Sequence, residues 1–311
     1  MRTGWTEPVG GEVSRRFVAL LMGHEGRFGV RVELEGALGR AEVEADVERN
    51  GGGAMVLHWN VQEEIPVDVV RLVEELRSQA DAFVFLSGGA SNMSEGDSTA
   101  LFELFRSLEM LASRGLRFAV GDGGTKAGIM EAAGRARAAS RNVFPLLGIA
   151  PAPEVGIDGR SGATPIEEHH SHILTITNEP WLEAQKKKGW EPSWGFWGSE
   201  TETMYEVFGR LADGRSSVAI VANGGGITLD EVEQNLRQGR RIVAIAGSGR
   251  AADAMVGALE GAPNPSPDIA KFADRIASLE VRERADRFRV FRLDAGPEAL
   301  LSVLTEELKA S

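Results

Sequence analysis

Four apolar runs of this sequence end in glycine clusters, and this repeated arrangement limits the fold more than any other feature. The runs occupy residues 82–89, 117–124, 217–225 and 241–249, and each is followed by a segment whose apolar residues have helical spacing. Strands that are apolar at consecutive positions are buried on both faces, which is typical of a parallel sheet covered by helices. The sequence therefore predicts an α/β fold with a doubly wound, mostly parallel sheet and helices on both faces.

The same patterns place the remaining elements of this sheet and its helices. Further strands are predicted at 54–59, 145–150, 172–177 and 288–293, and helices at 67–79, 98–115, 126–139, 200–213, 229–239, 251–261 and 297–310. The segment 151–200 has little regular pattern beyond one strand, and "APNPSPD" (262–268) is predicted to be an exposed loop.

The first fifty residues follow a different pattern. Apolar and polar residues alternate in "FGVRVELEG" and again in "AEVEADVE", on either side of a glycine-bearing stretch. A period of two with one apolar face predicts a β-hairpin. We therefore expect a β-rich N-terminal appendage over residues 1–50 and one larger α/β domain over residues 51–311.

Charge and composition exclude several classes of function. Acidic residues outnumber basic ones 46 to 34, giving a net charge of −12 that disfavours binding to nucleic acid. The chain has no cysteine, so disulfides, thiolate nucleophiles and cysteine-ligated zinc are excluded. No apolar run approaches the length of a membrane span, and the N-terminus lacks the apolar region of a signal peptide. We expect no membrane partner and a cytoplasmic location.

The glycine clusters predict a site for an anion. In an open α/β sheet the ligand lies beyond the carboxyl ends of the strands, where helix N-termini offer unpaired amides. Glycine lets a phosphate oxygen approach those amides closely, although any one such cluster is equally typical of a plain turn. None of the clusters matches a P-loop or the spaced dinucleotide fingerprint. The clusters contain Gly88 and Gly89, then Gly123 and Gly124, then Gly224, Gly225 and Gly226, and finally Gly247 and Gly249.

Arg250 begins the helix that follows the last cluster, and Ser248 is the natural N-cap residue there. A cation at a helix N-terminus opposes the helix dipole, so its presence favours a role in binding phosphate. The alternative is a surface arginine paired with Asp253.

Acidic residues follow two of the clusters. Thr228 and Glu231 have the spacing of a capping box, which requires no ligand; alternatively Glu231 faces the site and binds a ribose hydroxyl or acts as an acid or base. Asp122 could likewise hold a ribose or stabilise its own turn.

These motifs resemble a known family. "GDGGTKAGIM", "HHSHILTIT" and "NGGGITLDEVEQNLRQGRRIVAIAGSGRAAD" are similar to the Rossmann-like SLOG superfamily, and more narrowly to its LSDAT branch, over roughly residues 80–255. That branch occurs in bacteria and in the cytosolic N-terminal region of TRPM channels. The resemblance implies binding of nucleotide-derived ligands such as ADP-ribose or related NAD products. It assigns the binding set to Gly88, Gly89, Asp122, Gly123, Gly124, Thr125, Asn223, Gly224, Gly225, Thr228, Gly249 and Arg250.

A second branch of the superfamily, the lonely-guy phosphoribohydrolases, implies an alternative function. Their Pro-Gly-Gly-x-Gly-Thr-x-x-Glu motif ends in a catalytic glutamate and corresponds here to "NGGGITLDE". Glu231 falls on the catalytic position and Thr228 on the threonine, whereas Asn223 replaces proline and Ile227 the final glycine. The intact Thr-x-x-Glu favours hydrolysis of an N-glycosidic bond, while the two replacements favour binding.

The segment "EEHHSHI" resembles a family stretch that reads roughly Asn-His-Thr-His. His170 and His172 are two residues apart on a predicted strand and are expected to share a face. With Glu167 or Glu168 they have the spacing of a metal site. Local hydrogen bonding or ligand contact is the more frequent role of such pairs, so we expect no metal and include both histidines in the binding site.

The segment 181–200 contains four of the six tryptophans and ends in "WGFWGSE", which is similar to the Trp-Gly-x-Glu of the family. We expect a lid or an oligomer contact, the alternative being a hydrophobic loop packed on the sheet. The sequence as a whole predicts a sensor or binding module for a nucleotide-type ligand that requires no cofactor. Its expected partners are that small molecule and further copies of the chain.

Overall fold

The computed structural model describes most of the chain after residue 53. The described residues are 54–61, 65–89, 93–141, 143–156, 163–191, 195–261 and 281–309, with residues 270, 272 and 274 and the strand backbone of 3–5, 16–24, 27–36 and 39–49. The predicted loop 262–268 lies outside these residues.

Fourteen strands are present in the described part of the chain, twelve of them in one sheet. The order in this sheet is β1-β2-β3-β4-β5-β11-β8-β7-β6-β12-β13-β14, and β9 and β10 form a separate parallel pair. The strands are β1 (Thr3–Trp5), β2 (Arg16–His24), β3 (Arg27–Gly36), β4 (Gly39–Arg49), β5 (Met55–Val61), β6 (Ala82–Gly88), β7 (Phe118–Asp122), β8 (Leu146–Pro151), β9 (Val155–Gly156), β10 (Thr164–Pro165), β11 (His172–Asn178), β12 (Ser216–Ala222), β13 (Arg241–Ala246) and β14 (Phe288–Arg292).

Helices alternate with most of the strands from β5 onward. They are α1 (Val67–Gln79), α2 (Glu95–Ser113), α3 (Gly128–Ala139), α4 (Glu179–Lys186), α5 (Thr201–Ala212), α6 (Gly226–Arg237), α7 (Arg250–Leu259), α8 (Val281–Arg287) and α9 (Pro297–Glu307). Every predicted helix is found, and the boundaries of α1 agree with the sequence pattern. The patterns did not predict α4 or the β9–β10 pair.

The eight strands β5, β11, β8, β7, β6, β12, β13 and β14 are parallel to one another, which confirms the predicted fold class. Two apolar layers cover them. On one face β6, β7 and β12 pack against α2, α3 and α9. On the other face α1 and α5 cover one half of the sheet, and α6 and α7 cover the other.

The direction of winding reverses beside β6. From β6 the chain moves through β7 and β8 to β11 on one side, then crosses to β12 and continues through β13 to β14 on the other side. The loops that follow β6 and β12 therefore leave neighbouring strands in different directions. A crevice opens at such a switch point, outside the carboxyl ends of the strands.

The N-terminal strands continue the same sheet in antiparallel fashion. In the hairpin of β3 and β4, Phe28 lies opposite Val47 and Leu34 opposite Ala41. Arg49 of β4 then pairs with Met55 of β5. The backbone register agrees with the predicted hairpin, whereas the domain boundary at residue 50 stays a prediction. Within the described residues, no helix combines the length and apolar character that crossing a bilayer requires.

The helical layer provides a test of the core. Leu76 of α1 is fully buried between the helix and the sheet, whereas Val70 on the same helix is 38% exposed. We expect Leu76→Ala to lower the free energy of unfolding by about 2–5 kcal/mol, because it removes buried methyl groups and leaves a cavity. Val70→Ala should change it by about 0.5 kcal/mol or less. Urea unfolding followed by circular dichroism measures both; equal losses would contradict this assignment of the core.

Candidate functional site

A cavity of about 540 Å³ lies at the switch point, beyond the carboxyl ends of β6 and β12. It is enclosed by the loops after β6, β7 and β12, by the first turns of α6 and by the segment before α5. Its lining residues are Leu86, Gly88, Gly89, Gly123, Thr125, Ala127, Met130, Thr164, Trp197, Glu200, Gly225, Gly226, Ile227, Thr228, Glu231 and Arg250.

The loop after β12 leads directly into α6, which begins at Gly226 with Gly225 as its N-cap. Thr228 is the third helical residue, and its hydroxyl accepts a hydrogen bond from the Gly225 amide at 3.2 Å. The capping box considered for Thr228 and Glu231 is therefore wrong, because the helix begins three residues earlier than that motif requires. A Cβ on Gly226 would meet no atom within 4 Å, so this backbone faces open space.

Glu231 follows on α6, and its carboxyl lines the cavity. The Oε2 atom is closed off from solvent and has no hydrogen-bond partner among the described residues. Burial, reinforced by the nearby carboxyl of Glu200, raises the pKa of Glu231 to about 8, although a hydrogen bond with Ser87 acts in the opposite direction. Of the two alternatives left open by the sequence, the structure supports a carboxyl that faces the site.

Glu200 is a second acidic group at the same cavity, and sequence reasoning missed it as a site residue. It directly precedes α5, and its Oε2 accepts the Gly198 amide at 2.9 Å. Burial raises the pKa of Glu200 to about 7, with a smaller contribution from Glu154 in the same direction. The signal in the sequence was the glutamate that ends "WGFWGSE", at a helix start. The cavity thus holds two carboxyl groups that change charge near neutral pH.

A buried polar network supports Glu231 from below. The Tyr205 hydroxyl lies 2.9 Å from Ser87 Oγ and accepts a hydrogen bond of 2.9 Å from Asn235 Nδ2. Asn235 Nδ2 also donates to the Glu231 carbonyl at 3.1 Å, and Arg240 donates to Asn235 Oδ1 at 3.1 Å. No sequence motif indicated this network, because its members come from β6, α5, α6 and the turn before β13. It holds β6, α5 and α6 in fixed relation around the carboxyl.

The loop after β13 differs from the expectation that it offers bare amides. The Asp253 carboxylate accepts hydrogen bonds from the Gly247 amide at 2.6 Å and the Gly249 amide at 3.1 Å. Ser248 is not the N-cap, since Gly249 occupies that position. The Ser248 hydroxyl instead donates to the Ile245 carbonyl at 2.6 Å. Gly247, Ser248 and Gly249 are not among the lining residues of the cavity, because Asp253 folds their loop onto itself.

The first amides of α7 are also occupied. The Ala252 amide donates to the Asn223 carbonyl at 3.0 Å and the Ala251 amide to the Gly224 carbonyl at 3.4 Å. The Asn223 amide in turn donates to Ser248 Oγ at 2.9 Å. Asn223 and Gly224 therefore join the loop after β12 to the loop after β13. They are not among the lining residues of the cavity.

Arg250 is the contribution of this loop to the cavity. Its backbone has φ = +45°, a conformation that is unfavourable for a residue other than glycine and that is concentrated at functional sites. Its guanidinium extends toward Gly225, where a Cβ would lie 3.1 Å from Nη2. Asp253 is bound to the loop amides, and the alternative of a surface pair between Arg250 and Asp253 stays a prediction.

Asp122 stabilises its own turn, one of its two predicted roles. Its Oδ1 accepts the Gly124 amide at 2.7 Å and also lies 2.8 Å from His170 Nε2. Its Oδ2 is buried without a partner in the described chain. Asp122, Gly124 and His170 thus lie beneath the loop, while Gly123 and Thr125 reach the cavity. Thr125 Oγ1 is likewise buried and unpartnered among the described residues.

The sequence pattern predicted that His170 and His172 share a face, and this prediction is wrong. β11 begins at His172, so His170 precedes the strand. His172 Nδ1 lies 2.8 Å from Ser171 Oγ and its Nε2 lies 3.6 Å from Glu75 of α1, away from the cavity lining. Burial has the largest influence on the pKa of His172 and lowers it. In the described part of the chain, no group of three histidine, aspartate or glutamate side chains could hold a metal.

The tryptophan-rich segment forms one wall of the cavity. Trp197 is 38% exposed and lines it together with Ile227, which is equally exposed. Behind them Trp190 packs edge-on against Phe196 at 5.2 Å and against Trp181 at 6.1 Å. These rings pack on one another within the segment, and the alternative of a hydrophobic loop packed on the sheet stays a prediction. A lid or oligomer role stays a prediction.

Nine of the predicted site residues are brought together around one cavity. These are Gly88, Gly89, Gly123, Thr125, Gly225, Gly226, Thr228, Glu231 and Arg250.

Comparison with known proteins gives a family match. The family model described as SLOG in TRPM, prokaryote, matches residues 81–301. Searching curated proteins gives no match to the chain. Among solved structures, a molybdenum cofactor binding protein from the phototrophic bacterium Rippkaea orientalis is 12% identical with a TM-score of 0.42, over 73% of this chain and 96% of that one. A molybdenum cofactor carrier protein from Chlamydomonas reinhardtii is 14% identical with a TM-score of 0.41, over 74% and 99%.

The buried carboxyl of Glu231 predicts a pH-dependent stability. Its folded pKa of about 8 exceeds the ordinary value of 4.5, so its contribution to stability is present below pH 4.5 and is lost as the pH rises through 8. Glu231→Gln cannot ionise. We therefore expect the variant to be more stable than wild type by about 0.5–2 kcal/mol at pH 9, with little difference at pH 4.5.

Thermal unfolding between pH 4.5 and 9 measures this difference. The control is Glu202→Gln, since Glu202 is an exposed glutamate on the neighbouring helix α5. A stability difference between Glu231→Gln and wild type that is the same at both ends of the pH range would show that the carboxyl is not buried as described.

Proposed function

Because the chain belongs to the family described as SLOG in TRPM, prokaryote, we propose that it is a binding module for a nucleotide-type ligand. The observation that carries this proposal is the meeting of three glycine loops, the first turn of α6 and one arginine at a single cavity. ADP-ribose, NAD-related products and nucleoside phosphates are the ligands that combine the required groups.

The phosphate end of the ligand would lie at the start of α6. Gly225 and Gly226 present backbone rather than side chain to the cavity, and the N-terminal end of a helix favours an anion. The guanidinium of Arg250 reaches the same place and adds a planar pair of donors suited to phosphate. Thr125 offers a buried hydroxyl that has no partner in the described chain. The net charge of −12 for the whole chain makes this local cationic group more significant for binding an anion.

The same cavity also has the chemistry for a ribose and a flat ring. Glu200 and Glu231 are hydrogen-bonding groups that suit sugar hydroxyls, and Oε2 of Glu231 lacks a partner in the described chain. Trp197 and Ile227 expose apolar surface at the same cavity. A heteroaromatic base can stack on an indole, which contributes about 1–3 kcal/mol per base in other proteins. Phosphate, sugar and base would thus each find a matching wall.

One observation favours the alternative of an N-glycosidic hydrolase. A general acid is most effective when its pKa lies near the working pH, and the pKa of Glu231 is about 8 as a result of burial. With Glu200 as a second carboxyl at the cavity, one group could protonate a departing base while the other orients water. The proposal gives precedence to binding, because the loops supply several contacts for a phosphate and the chain has isoleucine where the hydrolases carry glycine.

Arg250 is the direct test of the phosphate site. We expect Arg250→Ala to weaken the binding of ADP-ribose by about 1.5–3 kcal/mol, the range for hydrogen bonds to charged groups. Isothermal titration calorimetry measures the dissociation constant. Arg106→Ala is the control, because Arg106 is an exposed arginine paired with Glu103 on α2. Unchanged affinity in Arg250→Ala would remove this arginine from the site.

Turnover separates the two functions. Wild type is incubated with AMP, NAD and ADP-ribose, and chromatography follows released base and ribose phosphate. We expect binding without products. Release of base that is abolished by Glu231→Gln, while that variant still binds, would instead establish the hydrolase.

A further inference from the structure

His170 is enclosed between two carboxylates. Its Nδ1 lies 2.8 Å from Glu167 Oε2 and its Nε2 lies 2.8 Å from Asp122 Oδ1. The His170 and Asp122 side chains are fully buried and that of Glu167 is 1% exposed. The three side chains therefore exchange no contact with bulk solvent.

Hydrogen bonds to two ionised carboxylates require this ring to carry two protons. A neutral imidazole has one donor and one acceptor nitrogen, so one of its two carboxylate contacts would bring lone pairs together. The imidazolium donates from both nitrogens and satisfies both contacts. Although burial alone lowers the pKa of His170, Asp122 and Glu167 together raise it to about 9.

The three side chains close a ring of hydrogen bonds around Gly124. Asp122 Oδ1, which accepts from His170, also accepts the Gly124 amide at 2.7 Å. The Gly124 carbonyl accepts the Glu167 amide at 3.0 Å. Both backbone groups of Gly124 are therefore held, one through the side chains and one directly. Its neighbours Gly123 and Thr125 line the cavity, so their placement depends on this ring.

Two glycines elsewhere make room for the same group. A Cβ on Gly134, in the middle of α3, would lie 2.0 Å from Glu167 Oε2. A Cβ on Gly148 of β8 would lie 2.9 Å from His170 Cδ2 and 2.4 Å from the Gly124 Cα. Glycine is less favourable than alanine inside a helix. The Glu167 carboxylate, which packs directly against Gly134, explains why glycine occupies this position.

We propose that Glu167, His170 and Asp122 form a charged clamp that positions the loop of Gly123, Gly124 and Thr125 for ligand. In this role His170 is a positioning residue, because it touches the loop anchor rather than the cavity. Its contribution to ligand affinity rests on the proposed function, whereas the clamp itself exists in the free protein. Other charged groups nearby are Arg137 of α3, which donates to the His169 carbonyl at 2.6 Å, and the exposed pair of Lys126 and Glu168. Glu231 lies close enough to Asp122 for the two carboxyls to interact unfavourably.

The experiment follows the imidazole and the loop separately. Nitrogen-15 NMR of the ring in full-length protein should show both nitrogens protonated at pH 7, with a midpoint near pH 9. Glu167→Gln removes one carboxylate and should lower that midpoint by about one unit or more. Amide exchange of Gly124 should become about tenfold faster, and ADP-ribose should bind about tenfold more weakly, as expected for the loss of one hydrogen bond.

Glu168→Gln is the matched control, since Glu168 is the next residue but pairs with Lys126 at the surface. It should leave the midpoint, the exchange rate and the affinity within about twofold or 0.3 unit of wild type. A neutral ring at pH 7, or equal Gly124 exchange in the two variants, would overturn the clamp. Should Glu167→Gln not fold, the ring titration in wild type decides alone. A confirmed clamp in a protein that does not bind ADP-ribose would contradict the proposed ligand and leave the clamp standing.

Discussion

The close approach of β6 and β12 is the constraint on which the rest of this structure depends. The two strands are neighbours in the sheet, but the chain winds away from them in opposite directions. At their carboxyl ends the backbones approach so closely that a Cβ on Gly88 would lie 2.2 Å from the Ala222 carbonyl oxygen. Gly89 has a similar relation to Gly224. These glycines serve the fold first, since without them the strands could not end side by side and the crevice between their loops would not form.

A cavity built in this way brings acidic and basic side chains together. Glu200 and Glu231 are buried and line the cavity together with Arg250. Burial raises the pKa of both carboxyls toward neutrality, so the site carries less negative charge than its composition suggests. Such groups reduce stability, and a chain retains them where chemistry or recognition requires them. The buried network of Tyr205, Asn235 and Arg240 supplies compensating hydrogen bonds.

The fold and much of the site could be predicted from sequence because both depend on local patterns. Apolar runs located all eight parallel strands, four of them by runs that end in glycine, and the loops after these four supply much of the cavity lining. Phase was harder to predict. Thr228 and Glu231 have the spacing of a capping box, but a helix can begin at glycine as well as at threonine, and α6 does so at Gly226. Groups that depend on distant contacts, such as Glu200, gave no periodic signal.

The same reasoning explains why some glycine-rich loops are not what they resemble. The loop after β13 has the composition of an anion site, yet Asp253 occupies the Gly247 and Gly249 amides, a contact between residues four and six positions apart. Sequence spacing alone does not show whether an acidic residue near such a loop turns inward. The carbonyls of Asn223 and Gly224, which receive the first amides of α7, have a consequence of their own. These two hydrogen bonds join the start of α7, which carries Arg250, to the loop that precedes α6. Neither helix start can therefore shift alone. A ligand would therefore bind to a preorganised site at little cost in conformational entropy. The free and ligand-bound structures should superimpose closely there.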